Sequence, residues 1–331
     1  MSRPLWLVTG GAGFIGSNIT EELVRRGYRV RVFDNFSTGS MENIAPFKGK
    51  FELVRGDLRR PADLDRAMKG ATYVLHQAAL RSVPKSVDNP FDAHENNATG
   101  TLNALMAARK AGVKRFVYAG TSSAYGDCKV FPQKEDLPAA PVSPYAVSKL
   151  AGEHYCRVFA RTYGLEAVTL RYFNVFGPRQ NPESLYSAVI PRFMELAVQG
   201  EPLEVHWDGR QSRDFTYIAN VVDGNIKAAL APSSVSGLTI NVATGTNISL
   251  LDIIRELERI LGRKLPRVHS PMRKGDVRKT YSDISLARKV LNYKPLVSFP
   301  KGLELTWEYF KGRFGEPECA CGRCSCGKGG K

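Results

Sequence analysis

No stretch of this 331-residue chain approaches the ~18 consecutive apolar residues that a membrane-spanning helix requires, so no membrane association is expected. The opening apolar run, Leu5-Trp6-Leu7-Val8, is too short for the core of a secretory signal and runs straight into glycines, so the chain reads as cytoplasmic. Histidine is scarce. His76, His94, His154, His206 and His269 are scattered, and none stands at metal-ligand spacing from a carboxylate or cysteine. Cysteine is almost absent from the body of the chain, where Cys128 and Cys156 are isolated. The other four, Cys319, Cys321, Cys324 and Cys326, crowd into a Gly/Lys-rich tail. Their spacing suits a soft metal, and the same polar, glycine-rich end equally reads as disordered; no metal is assigned. An internal repeat, a basic helix and a nucleic-acid-binding motif are also lacking. The excess of 47 Lys and Arg over 32 Asp and Glu, a formal charge of +15, is spread along the whole chain. Such a spread predicts no nucleic-acid partner and suits small anionic ligands.

What is present is an alternation. Up to about residue 170, short apolar runs at Leu5–Thr9, Arg29–Phe33, Phe51–Val54, Tyr73–His76, Phe116–Ala119 and Ala167–Leu170 read as strands. Helical stretches near 15–26, 62–69, 91–111 and 145–163 separate them. Repeated βα units imply a parallel sheet with helices on both faces, a Rossmann-type doubly wound α/β fold. After Asn174 prolines and loops become frequent. Helices are expected near 187–199, 220–230, 249–261 and 301–311, with strand-like runs at Leu203–His206 and Thr239–Val242. The predicted organisation is a nucleotide-binding domain over 1–173, to which later segments can return. A smaller α/β substrate-binding domain over 174–315 and a tail over 316–331 follow.

Gly10, Gly13 and Gly16, in Thr9-Gly10-Gly11-Ala12-Gly13-Phe14-Ile15-Gly16, follow the first predicted strand and open the first predicted helix. Glycines at this spacing permit a tight turn and close approach of backbone to a pyrophosphate, and the helix N-terminus offers unpaired N–H groups to it. Asp34 closes the second strand, eighteen residues after Gly16, and is followed by Asn35. A carboxylate there accepts both ribose hydroxyls and repels a 2′-phosphate, which favours NAD over NADP. Asp57, in Gly56-Asp57-Leu58, is placed either to meet the adenine or simply to cap the following helix.

Tyr145 and Lys149 stand one helical turn apart after a Thr121-Ser122-Ser123 run. Positions i and i+4 share a face, so the ammonium can approach the phenol, favour its ionised form and make it a general base. The expected chemistry is proton removal from a hydroxyl, coupled to hydride transfer.

Together these residues resemble the extended short-chain dehydrogenase/reductase superfamily, in its nucleotide-sugar epimerase/dehydratase branch. The likeness runs from about residue 4 to 311. It includes His76-Gln77-Ala78-Ala79, Asn97, Arg171-Tyr172-Phe173-Asn174-Val175-Phe176-Gly177, Ser212-Arg213-Asp214-Phe215 and Gly275-Asp276-Val277. The resemblance implies that Phe14, Ile15, Thr38, Gly39, Leu58, Gln77, Ala78, Ala79, Arg81, Asn97 and Tyr172 join the cofactor surface. It implies that Asn174 and Val189 bind the sugar nucleotide, that Arg213 and Arg273 grip its diphosphate, and that Asp276 takes a ribose hydroxyl of the uridine. Guanidinium groups suit such a grip. It also implies a homodimer through the helices near 91–111 and 145–163.

The 4,6-dehydratases carry an Asp-Glu pair where this chain has Ser122 and Ser123, and related decarboxylases keep a glutamate at the second position. Without those acids neither reaction is expected. The resemblance is therefore closest to a UDP-hexose 4-epimerase, with Tyr145 taking the proton of the 4-hydroxyl, hydride passing to NAD, and Thr121 and the serines holding the oxygen. The 4-keto sugar then turns about its phosphate link and hydride returns to the opposite face. Thr280, four residues after Asp276, stands where enzymes restricted to glucose and galactose have tyrosine. A small residue there implies UDP-GlcNAc/UDP-GalNAc together with UDP-Glc/UDP-Gal. UDP-uronates are the alternative substrate, against which stands Asn174 where uronate epimerases have threonine. A non-catalytic dinucleotide-sensing or nucleic-acid-binding protein is the alternative of a different class, and it would be expected to lose Tyr145 or Lys149.

Overall fold

The computed structural model describes residues 3–181, 189–271 and 278–314. Arg273, Gly275-Asp276-Val277 and the four tail cysteines lie outside the described residues.

The sequence's alternation forms as β1 (Leu5–Thr9), α1 (Phe14–Arg25), β2 (Arg29–Asp34), β3 (Glu52–Arg55), α2 (Pro61–Met68) and β4 (Tyr73–His76). Next come α3 (Val83–Asp88), α4 (Pro90–His94), a π-helical turn at Glu95–Thr99, α5 (Gly100–Lys110), β5 (Arg115–Thr121), α6 (Pro144–Thr162) and β6 (Ala167–Tyr172). The remaining elements are β7 (Val175–Phe176), α7 (Val189–Gln199), β8 (Leu203–His206), β9 (Ser212–Arg213), β10 (Thr216–Tyr217), α8 (Ile218–Leu230), β11 (Thr239–Val242), β12 (Ile248–Ser249), α9 (Leu250–Leu261), β13 (Arg267–Ser270), α10 (Ser285–Leu291) and α11 (Phe299–Phe314).

Seven strands make one sheet in the order β11-β6-β5-β4-β1-β2-β3, and every neighbouring pair is parallel. All five residues of β1 are buried, as expected for a strand covered by helices on both faces. From β1 the chain winds one way to β2 and β3 and the other way through β4 to β6. This reversal opens a crevice at the carboxyl ends of β1 and β4, where Thr9 stands opposite Phe33 on one side and His76 on the other.

Beyond residue 173 the chain forms three two-stranded sheets, β7 with β10, β9 with β12 and β8 with β13, together with α7, α9 and α11. The Phe176, Phe215, Tyr217 and Phe299 rings pack at centroid separations of 5.5–6.3 Å. One buried apolar cluster runs from Trp6 and Val8 through Phe173 to Ile253 and Leu257, so the sheet and the second lobe share a core.

Several elements differ from the sequence reading. Thr239–Val242 does not stay with the second lobe; it pairs with β6 as the seventh strand of the main sheet. The single helix expected over 91–111 is split by the π-helical turn. The strand Arg267–Ser270 and the short helices Val83–Asp88 and Ser285–Leu291 carried no legible period.

Candidate active site

The glycine turn is built by close packing. Gly10 has φ +65°, and a Cβ there would lie 2.7 Å from the backbone N and Cα of Ala78. A Cβ on Gly16 would collide with the carbonyl oxygen of Gly10. Gly13 is the N-cap of α1 and has no side chain to occupy the first-turn N–H groups, which leaves that end of the helix to an anion. Phe14 and Ile15 form the first turn. Asp34 is buried, and its two oxygens accept from Ala12 N at 2.9 Å and Phe36 N at 2.8 Å. Burial raises its pKa, while those N–H donors pull it back. A Cβ on Gly39 would meet Ala12 at 2.9 Å, so the loop carrying Thr38 and Gly39 lies against the turn.

Asp57 accepts from Asn35 Nδ2 at 3.1 Å and pairs with Arg59 at 2.7 Å, which holds its carboxyl far below the ordinary range. It does not cap the following helix, because Arg60 is the N-cap of α2. Leu58 is buried, and Gly100 packs against its Cβ.

Beyond β4, Gln77 Nε2 donates to Asn225 Oδ1 at 3.0 Å, and the Tyr172 hydroxyl donates to Gln77 Oε1 at 3.1 Å. Asn225 Nδ2 donates to that same hydroxyl at 2.8 Å. Asn225 was not anticipated; it is one of three buried polar residues on α8, with Asn220 and Asp223. Asn97, in the π-helical turn, is fully buried. It accepts from Leu80 N at 2.8 Å and donates to Leu80 O at 2.9 Å and Ser148 Oγ at 3.0 Å. In this structure it therefore braces the loop carrying Ala78, Ala79 and Arg81 against α6. Irregular helical turns of this kind concentrate at functional sites.

Ser143 caps α6 by accepting from Ala146 N at 3.2 Å, with Pro144 in the first turn, which fixes where the helix begins and so where Tyr145 stands. Ser86 Oγ accepts from Tyr145 N at 3.1 Å. At the end of β5, Thr121 Oγ1 accepts from Ser123 N at 3.1 Å and caps the turn Ser122–Tyr125. Thr121 also hydrogen-bonds the Tyr145 phenol. The structure thus brings Thr121 to Tyr145, and Ser122 and Ser123 follow it in the same turn.

The electrostatics depart from expectation. Desolvation holds the Tyr145 pKa above the ordinary tyrosine value, and the influences that lower it are the Thr121 hydrogen bond and the charge of Arg81. The Lys149 ammonium lies over the Tyr118 ring, 4.2 Å from its centroid. Lys149 is 3% exposed, and burial brings its pKa down to about 7. Lowering of the phenol by Lys149 is accordingly not seen in the chain alone.

Facing this wall, Asn174 adopts φ +28° and donates from Nδ2 to Asp214 O and to Thr280 Oγ1, both at 3.3 Å. Arg213 lies in β9, with Nη1 donating to Ser212 O at 3.0 Å. Val189 begins α7. The Asp214 carboxylate, to which the sequence reading gave no role, is fully buried and accepts from Thr244, Gly245 and Ser282.

A glycine cradle at the switch point of a parallel sheet, opposite a Tyr-x-x-x-Lys helix, defines a dinucleotide-dependent enzyme acting on a hydroxyl-bearing substrate. The NAD dependent epimerase/dehydratase family matches residues 6–243, and the chain belongs to this family. It is similar to the UDP-glucose 4-epimerase of Thermotoga maritima solved with UDP-glucose, at 37% identity and a TM-score of 0.88, covering 94% of this chain and 100% of that one. It is also similar to the UDP-N-acetylglucosamine 4-epimerase of Methanobrevibacter ruminantium solved with UDP-N-acetylmuramic acid, at 35% identity and a TM-score of 0.89, covering 95% and 100%. The UDP-glucuronate 4-epimerase of Thermodesulfobacterium geofontis is 36% identical over 318 residues, 92% of this chain and 96% of that protein.

Proposed function

We propose that the protein is an NAD-dependent UDP-sugar 4-epimerase that acts on hexoses, taking UDP-GlcNAc/UDP-GalNAc as well as UDP-Glc/UDP-Gal. The observation that carries the reading is the turn beside Tyr145: Thr121 bonds the phenol, and Ser122 and Ser123 follow with no carboxylic acid between them. Hydroxyls can hold a reacting oxygen and pass a proton; they cannot drive elimination of water.

NAD would be held by the Gly10/Gly13/Gly16 cradle, the Asp34 carboxylate and the loop from Gln77 to Arg81, with Tyr172 beside it. Bound there, it supplies a reversible hydride acceptor at the carbon bearing the hydroxyl. The chain's own residues do the rest. Tyr145 accepts the 4-hydroxyl proton and Thr121 holds the oxygen. The charge of Arg81 and the Thr121 hydrogen bond favour the phenolate that the step requires. Arg213, with Arg273, retains the diphosphate while the 4-keto sugar turns over. Tyr145 then returns the proton to the inverted alcohol.

Hexose is favoured over uronate by the backbone of Asn174. A φ of +28° suits asparagine and disfavours a β-branched residue such as the threonine that marks the uronate enzymes. Thr280, hydrogen-bonded to Asn174, is smaller than the tyrosine of enzymes restricted to glucose and galactose. The organisation we propose keeps 1–173, with β11, as the NAD-binding domain, and 174–315 as the substrate-binding domain. A homodimer is supported by two exposed apolar stripes, Val147, Tyr155 and Val158 on α6, and Phe91 with Met106 on α4 and α5. Among the described residues no helix is long and apolar enough to cross a membrane.

The test is to incubate the purified protein, without added NAD, separately with UDP-GlcNAc, UDP-Glc and UDP-GlcA and to follow C4 inversion by NMR. Inversion of both hexoses and not the uronate is expected. Inversion of UDP-GlcA alone would overturn the substrate, and inversion of none, with NAD then supplied, would overturn the activity.

A further inference from the structure

We propose that Tyr125 is a positioning residue: its hydroxyl ties the turn that carries Ser122 and Ser123, and that Thr121 caps, to the second lobe. The groups that handle the substrate oxygen thereby keep register with the lobe that holds the sugar nucleotide, an assignment that rests on the reading of Thr121 as the residue holding that oxygen. Tyr125 ends this turn, and its side chain is fully buried. The hydroxyl lies 2.8 Å from Asn241 Oδ1 in β11. Asn241 Nδ2 donates to Gln133 O at 3.0 Å and to Asp283 O at 3.1 Å. Main-chain oxygens can only accept, so these two engage both amide protons and fix Oδ1 toward Tyr125. Tyr125 is therefore the donor. Burial pushes its pKa up to about 12, which keeps the proton on the hydroxyl.

The two carbonyls that Asn241 holds belong to one knot. Gln133 N donates to Tyr281 O at 2.6 Å, and Asp283 N donates to Gln133 O at 2.9 Å. Between Tyr281 and Asp283, Ser282 Oγ donates to the buried Asp214 carboxylate at 2.6 Å. The far end of the tie is thus fastened to the segment that follows Thr280. On its other side Tyr125 meets the catalytic helix. The Arg171 guanidinium lies 4.5 Å from the Tyr125 ring centroid, and Glu153 on α6 accepts from its Nε at 3.0 Å and its Nη2 at 2.7 Å. Tyr125 therefore stands where the turn beside Tyr145, the helix that carries Tyr145 and the substrate lobe converge. A phenylalanine would fill the same space in the core; what the hydroxyl adds is the tie.

The experiment titrates Tyr145 by carbon-13 NMR of labelled tyrosine in the NAD-loaded protein, with Tyr145→Phe identifying its signal. The Thr121 hydrogen bond lowers the Tyr145 pKa, so a turn released from its anchor lets that pKa rise. Tyr125→Phe is expected to move the titration up by about 0.5–1 pH unit, the equivalent of one net hydrogen bond. Asn241→Ala breaks the same tie from its other end and should reproduce the change. Thr121→Val removes the bond itself and should move the titration at least as far. Tyr125→Phe combined with Thr121→Val should then go no further than Thr121→Val alone. The other groups around the phenol, Arg81 after β4, Tyr118 in β5 and Lys149 on α6, are the same in all of these variants. With UDP-glucose as substrate, Tyr125→Phe should lower kcat about 3- to 10-fold and leave KM unchanged. An unmoved titration in folded Tyr125→Phe or Asn241→Ala, or changes that add in the double variant, would overturn the proposal and leave Tyr125 a packing residue. Because the titration is read without turnover, failure of C4 inversion would sink the activity while leaving this outcome readable.

Discussion

Replacing Lys149 by methionine should make the NAD-free protein more stable and, at the same time, nearly inactive. The lysine is 3% exposed, and burial carries its pKa from 10.5 to about 7. The folded value is depressed, so protonation favours the unfolded chain. The penalty is full below pH 7 and is relieved as pH rises between about 7 and about 10.5. Each pH unit in that window is worth about 1.36 kcal/mol, so raising pH from 6 to 9 crosses about two units and relieves at most ~2.7 kcal/mol. The ammonium over the Tyr118 ring offsets part of the penalty by about 0.5–2 kcal/mol. The expected advantage of Lys149→Met is therefore a few kcal/mol at pH 6, shrinking by about 1–3 kcal/mol at pH 9. Urea unfolding of both proteins at the two pH values reads it, since other titrating groups are common to both. An advantage that is absent at pH 6, or that does not change with pH, would refute a buried cation held against its desolvation cost.

Four further outcomes are expected. Tyr145→Phe should lower turnover by about 10²–10⁴-fold while the protein still purifies with NAD, as absorbance would show. Gly10→Ala puts a methyl 2.7 Å from the Ala78 backbone at φ +65°, so the variant should lose bound NAD. Glu153→Ala strips Arg171 of a buried partner at 2.7 Å and should cost about 3–5 kcal/mol in urea unfolding. Phe91, 79% exposed, should be dispensable to folding but not to pairing, so Phe91→Glu should halve the mass seen by light scattering.

The sheet was legible because each strand is a short apolar run closed by a turn signal, and a parallel strand buried on both faces leaves that run in the sequence. Tyr145, Thr121 and the glycine turn were legible because each sits at a fixed offset from an element end. What escaped depends on partners distant in sequence. Nothing local predicts that helix 91–111 breaks at Asn97, because the break serves a pair of hydrogen bonds to Leu80. Nothing near Thr239 says that it will travel back to β6. The spacing of Tyr145 and Lys149 placed both on one helix, but it could not reveal that Tyr118 receives the ammonium. Asn225 and the Asp214 carboxylate were missed for the same reason: each acts on segments far along the chain.

The seventh strand also governs how this protein could be recombined. Because Thr239–Val242 returns to the sheet after the first part of the second lobe, no single junction divides the chain into cofactor and substrate modules. A chimera joined once near residue 173 would inherit a foreign edge strand against β6. One that exchanges only the stretch between β6 and β11, and again the stretch beyond β11, would keep all seven strands from one parent. Substrate range in this scaffold is therefore to be shuffled as two inserts around a retained strand, not as a swapped half.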